Sequence, residues 1–126
     1  MNAATTIQKV SLYERLGGED GIKKFLDDLF ARHLKNPKIS PFLKNVDLDK
    51  LKRHALEFFS MGTGGPLLYT GRDMRSAHEQ LNLTEENFED SNKDILITLQ
   101  ESGYDQETID EVFRILNSLK GEVLGR

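Results

Sequence analysis

Ile22, Phe25, Leu26, Leu29, Phe30 and Leu34 recur at steps of three and four residues, the spacing that gathers side chains on one face of an α-helix. The pattern returns at Leu48, Leu51, Ala55, Phe58 and Phe59, then at Phe88, Ile95, Leu96 and Leu99, and again at Ile109, Val112, Phe113, Leu116 and Leu119. No convincing period-two run, repeat or low-complexity segment interrupts it, so the expected fold class is all-α. The punctuation agrees. Ser11-Leu-Tyr-Glu14 reads as a capping box, and Asp47, Thr84 and Asp105 stand where helices should begin. Gly17-Gly18 stops a short first helix, a second runs from about Asp20 to Pro37, and Gly103 closes a late one. Ser40-Pro41 reads as a cap with proline at the first position of a brief turn through Phe42 and Leu43. MGTGGP should end the helix that Asp47 opens, leaving Gly62–Gly71 as a loop long enough to be a candidate functional element.

A chain of 126 residues fits one domain, expected over 11–126 behind a flexible tail at 1–10. The net charge of −4 argues against a nucleic-acid partner, which needs a basic stripe to neutralise phosphates. No apolar run is long enough to span a bilayer, and MNAATTIQKV has no apolar core of a secretory signal. With no cysteine there is no disulfide, thiolate metal site, cysteine nucleophile or C-x-x-C-H haem attachment, and a cytoplasmic location is expected.

Chemistry then rests on three histidines. His33 falls one position off the Ile22–Leu34 stripe and is expected to be a partly exposed surface residue. His54 precedes the glycine-rich loop. His78 follows it, on a short helix whose inward face should carry Met74, Ala77 and Leu81. Two readings of His78 stand: a buried imidazole hydrogen-bonded to a nearby carbonyl, or a ligand for something enclosed by the core. Two distant histidines make a poor zinc site. No G-x-S-x-G elbow presents a serine nucleophile. A flat apolar cofactor with one axial imidazole, such as haem, suits the ligand reading better.

The order of motifs extends the case. SLYERLGG, an F-x-x-x-L helix, PFL, VDLDKLKRH, EFF, GGPxxYTG, MRSAH, LTEENF, TLQESG and the ETIDEVF helix, in that order, resemble the truncated haemoglobins, and group I in particular. The resemblance runs from Ser11 to about Leu119. It implies a two-over-two helical sandwich around non-covalent haem b, with Gly17-Gly18 and Gly64-Gly65 at the family's tight breaks. By the same resemblance His78 is the proximal iron ligand, Met74 and Ala77 line that side, and Phe88 touches the haem from the next helix. Phe30, Leu51 and Ala55 take the distal positions. Phe58 and Phe59 match an aromatic pair, one beneath the haem edge and one flanking a ligand tunnel. Tyr69 and Arg75, with Lys50 or Arg53, could meet propionates.

Departures from the family matter as much. Phe30 stands where a tyrosine is usual and Ala55 where a glutamine is common, so neither oxygen-stabilising donor is present. Nothing after His78 is a histidine, so the haem cross-link of some cyanobacterial members has no counterpart. His54 matches a cyanobacterial histidine that can become a sixth iron ligand. The expected function is therefore diatomic gas binding (O2, CO, NO), as a monomer or weak dimer and with a reductase as a further partner. Nitric oxide dioxygenase or peroxidase-like activity stays open. The alternatives are a bis-histidine protein, His78 with His54, for electron transfer or redox sensing, and a haem-free helical interaction module.

Overall fold

Ser11, Asp47, Asp73, Thr84 and Asp105 each accept a hydrogen bond from the backbone N–H three residues on, and each opens a helix. The computed structural model describes residues 10–125. Its helices are α1 (Leu12–Arg15), α2 (Gly18–Lys35), α3 (Leu48–Thr63), α4 (Met74–His78), α5 (Glu85–Glu101), α6 (Gln106–Ser118) and α7 (Lys120–Val123). Single 3-10 turns occupy Ser40–Leu43 and Glu79–Leu81. No strand occurs among the described residues. The expected tail lies, apart from an exposed Val10, outside them.

Helix α2 packs against both α3 and α5, and α5 packs in turn on α6. The core between them takes Ile22, Phe25, Leu26, Leu29, Ile95, Leu99, Ile109 and Val112 from the predicted stripes, all buried. On α3, by contrast, the buried apolar residue is Leu56, and the predicted Leu48, Leu51, Ala55, Phe58 and Phe59 are half-buried. Short α1 closes one end: Leu12 and Leu16 join the core, and Arg15 bridges to Glu111 at 2.6 Å. Tight turns require glycine at two places. Gly64 ends α3 with φ +95°, a conformation most side chains resist. At Gly65 a Cβ would stand 2.4 Å from the Tyr13 ring, so any side chain there would drive α1 and the loop apart.

Several expectations are corrected. His33 is buried, at 6% exposure, whereas Leu34 is 45% exposed. At about 100° per residue, His33 lies only about 20° round the helix from Ile22 and Leu34 about 120°. Counting in threes and fours had hidden that drift. Helix α3 does not stop at the first glycine but absorbs Gly62 and ends after Thr63, whose hydroxyl donates to Phe59 O at 2.6 Å. Leu81 is exposed rather than inward. Ser40 is the first residue of its 3-10 turn, not its cap. The SLYE box is half made: the Ser11 hydroxyl meets the Glu14 carboxylate instead of Glu14 reaching the Ser11 backbone. Finally, the chain does not end its helices at α6, and the added α7 packs on α4.

His33 is kept in the core by a hydrogen-bond partner. Its Nδ1 lies 2.8 Å from Asp94 Oδ2 on α5, which also accepts from Asn36 Nδ2 at 3.1 Å. Burial holds the His33 pKa below its ordinary 6.5, although the Asp94 hydrogen bond and charge pull the other way. The folded state therefore resists a proton that the unfolded chain accepts. Stability from this residue is complete above about pH 7 and declines as pH falls from 6.5 through the lowered folded value. Denaturant melts at pH 7.5 and 5.5 should show this fall in the native chain and a flatter response in His33→Gln. Equal slopes in the two proteins would refute it.

Candidate functional site

His54 lies on α3 and His78 on α4, and the loop 64–73 that joins those helices is stapled to α3. Gly65 N donates to Ser60 O at 2.7 Å and Leu67 N to Ser60 Oγ at 3.0 Å. Further along, Glu57 Oε1 accepts from both Thr70 N, at 3.0 Å, and Thr70 Oγ1, at 2.7 Å, while Arg53 Nε holds Glu57 Oε2 at 3.1 Å. Glu57 is buried, yet its two Thr70 hydrogen bonds and then Arg53 bring its pKa down to about 2. It is a carboxylate at any physiological pH. Neither Glu57 nor Thr70 was singled out in the sequence. The available signal was a lone charge inside LEFF, where an inward-facing acid needs partners.

This stapling sets Tyr69 above α3. Its ring stands edge-on to Phe58, with centroids 5.5 Å apart, and to His54, at 6.0 Å. The Tyr69 hydroxyl donates to Arg72 O, so His54 meets only the ring. Burial raises the Tyr69 pKa and keeps that hydroxyl protonated. Phe58 continues the wall to Phe59, whose ring meets Phe25 of α2 at 5.8 Å. Phe59, Leu51 and Ala55 pack against the core, as half-buried residues, and Phe30 is part of it. The Phe30 ring also meets the His33 ring edge-on at 5.9 Å.

Across the loop, Asp73 caps α4 through Ser76 N, a bond that holds its carboxyl below the usual range. The short helix carries half-buried Met74, Ala77 and His78, with Arg75 exposed. His78 Nδ1 lies 2.7 Å from Met74 O, one turn back. A carbonyl can only accept, so Nδ1 carries the proton and Nε2 keeps its lone pair. That is the tautomer and orientation a metal-binding imidazole needs, with the carbonyl aiming the ring. Phe88 on α5 is half-buried beneath Lys120 of α7, whose Nζ lies 5.8 Å from the ring centre. No cluster of three His, Cys, Asp or Glu side chains able to hold a bare metal ion occurs among the described residues. A single imidazole aimed by a carbonyl fits a planar iron cofactor that brings most of its own ligands.

The sequence-predicted residues thus divide into connected groups. His54, Phe58, Phe59 and Tyr69 form one aromatic chain, Phe30, Leu51 and Ala55 line the core side of α2 and α3, and Met74, Ala77 and His78 share α4. Arg53 is engaged by Glu57, and Lys50 is exposed.

Comparison with known proteins follows the same outline. Residues 11–124 match the family model described as bacterial-like globin. The group 1 truncated haemoglobin GlbN of Synechocystis is 36% identical over 106 residues, covering 81% of this chain and 86% of the relative. The group 1 truncated haemoglobin of Tetrahymena pyriformis is 29% identical over 116 residues, covering 92% and 96%. Among solved structures, the 2/2 haemoglobin of a Synechococcus species, crystallised in the cyanomet state with covalently attached haem, superposes with a TM-score of 0.87. It is 33% identical, and the match covers 93% of this chain and 100% of that one.

Proposed function

Because the chain belongs to the bacterial-like globins, as a group 1 truncated haemoglobin with the 2/2 helical fold, we propose that it holds haem b through His78 Nε2 and binds diatomic gases on the opposite side. The observation that carries this reading is the His78 Nδ1 contact with Met74 O at 2.7 Å, which leaves Nε2 as the ligating nitrogen. When bound, haem would supply an iron able to take O2, CO or NO. The protein supplies its setting. Met74, Ala77 and Phe88 line the His78 side, and Phe30, Leu51 and Ala55 make the gas side apolar. Arg75 and Lys50, both exposed, would be the residues to meet propionates. Reductase coupling and nitric oxide chemistry would draw on the cofactor, with the chain controlling access.

With no hydroxyl or amide at Phe30, Leu51 or Ala55, these three side chains give O2 no hydrogen bond. Phe30→Tyr should therefore slow O2 release roughly two- to tenfold, the equivalent of about 0.5–1.5 kcal/mol for one added hydrogen bond. Stopped-flow displacement of O2 measures it. A release rate unchanged by the new hydroxyl would contradict the placement of Phe30 on the gas side.

A second reading has its own support in His54, half-buried on the aromatic wall with no hydrogen bond from the described residues to hold its ring nitrogens. If that imidazole reaches the iron, the protein suits electron transfer or redox sensing, and gases must displace it. His54→Ala separates the two readings, since it alters the resting absorption spectrum only where His54 is a ligand.

A further inference from the structure

The clasp between Glu57 and Thr70 has no part in the reading above, yet it is built from a buried charge, which a surface loop does not need. Three observations converge on what it holds. Glu57 Oε1 takes both donors of Thr70, and Arg53 closes the other oxygen, so the backbone next to Tyr69 has little latitude. The Tyr69 hydroxyl is tied forward to Arg72 O, which anchors the ring at its far end as well. Between these anchors the ring packs edge-on against two residues one turn apart on α3, His54 and Phe58. His54 is thereby held on the loop side of α3, beside the stripe of Leu51, Ala55 and Phe59 that packs into the core.

We propose that Glu57 and Thr70 are positioning residues which, through Tyr69, withhold the His54 imidazole from the iron and so favour a five-coordinate, gas-accessible site. This rests on the haem reading of His78. A ring contact with no hydrogen bond is a weak restraint, so His54 remains displaceable. The clasp decides how often, because Tyr69 can retreat only if Thr70 leaves Glu57. Arg53 belongs to the same device. Its guanidinium is on the outer side of Glu57, 65% exposed, where it seals the carboxylate from water.

The test is a mutant cycle on the haem-loaded protein, read from the ferric absorption spectrum as the ratio of six-coordinate low-spin to five-coordinate high-spin species. Tyr69→Leu removes the ring that holds His54. Glu57→Gln and Thr70→Val loosen the clasp by one hydrogen bond or one charge while keeping volume. Each is made with His54 present and with His54→Ala. The low-spin fraction is expected to rise at least threefold in Tyr69→Leu and by a smaller factor in the two clasp variants, with no rise in any of them once His54 is alanine. CO combination after rapid mixing should slow in parallel. An unchanged spin state in Tyr69→Leu, or the same rise without His54, would overturn the proposal while leaving haem binding intact. Failure of the unmodified chain to take up haem would overturn both.

Discussion

His78→Gly is expected to abolish stable haem retention, and added imidazole is expected to restore it. The α4 backbone is held by the Asp73 cap and by α7, neither of which depends on the imidazole. The variant should therefore keep its helical content and lose the cofactor. In the native chain Met74 O fixes the proton on Nδ1 and orients the ring, so the ligand is aimed before the cofactor arrives. An exogenous imidazole brings the same donor without that aim. Recovery should need millimolar concentrations and give a band like that of the native protein. Retention measured by transfer of haem to an acceptor globin would report the loss as faster release by orders of magnitude. If the glycine variant keeps its haem as the native chain does, His78 is not the ligand. A variant that loses its helical circular dichroism as well would assign His78 a role in folding.

The second large effect is structural. Asp94→Ala is expected to cost about 2–4 kcal/mol, because it strands two donors, the buried His33 imidazole N–H and the Asn36 amide, at roughly 1–3 kcal/mol each. The melting temperature should fall on the order of 10 °C. Asp94→Asn keeps an acceptor oxygen and should fall less. The cycle is completed by His33→Phe with Asp94→Leu, which removes both polar partners and replaces them with apolar volume. Much of the lost stability should return, as it does when a buried polar pair is replaced whole and not halved. A double variant as unstable as the sum of its parts would mean that the couple adds nothing beyond packing. The Phe30 ring rests on His33, so the same variants test whether this couple also steadies the gas-side wall.

What the sequence made legible was what depends on short-range rules. An oxygen three residues before a backbone N–H marks a cap, and Asp47, Thr84 and Asp105 all act as such. Thr84 completes a reciprocal box with Asn87. Phe25, Leu29, Ile95, Leu99 and Val112 faced inward because an apolar stripe has one place to go. The motif string carried the family.

Other features depended on partners distant in the chain. His33 was misplaced because its burial is sustained by Asp94, 61 residues away, and because an 11-residue step returns it to the face of Ile22. Glu57 could not be read without Thr70, which reaches it across a loop. Gly62 failed to stop α3 because a single glycine inside a helix costs only about 1 kcal/mol, and the tertiary contacts of α3 outweigh that. Helix α7 is one turn long and has no side-chain cap to announce it; it is supported by its packing on α4.

The most direct measurement is a haemin titration of the purified, haem-free chain, followed in the Soret region and repeated after reduction with dithionite. One haem per chain should saturate a sharpened, red-shifted band, and CO should move the reduced band further. A titration that stays indistinguishable from haemin in buffer, with no saturation, would contradict the account and leave His78 an imidazole bound to a carbonyl and nothing else.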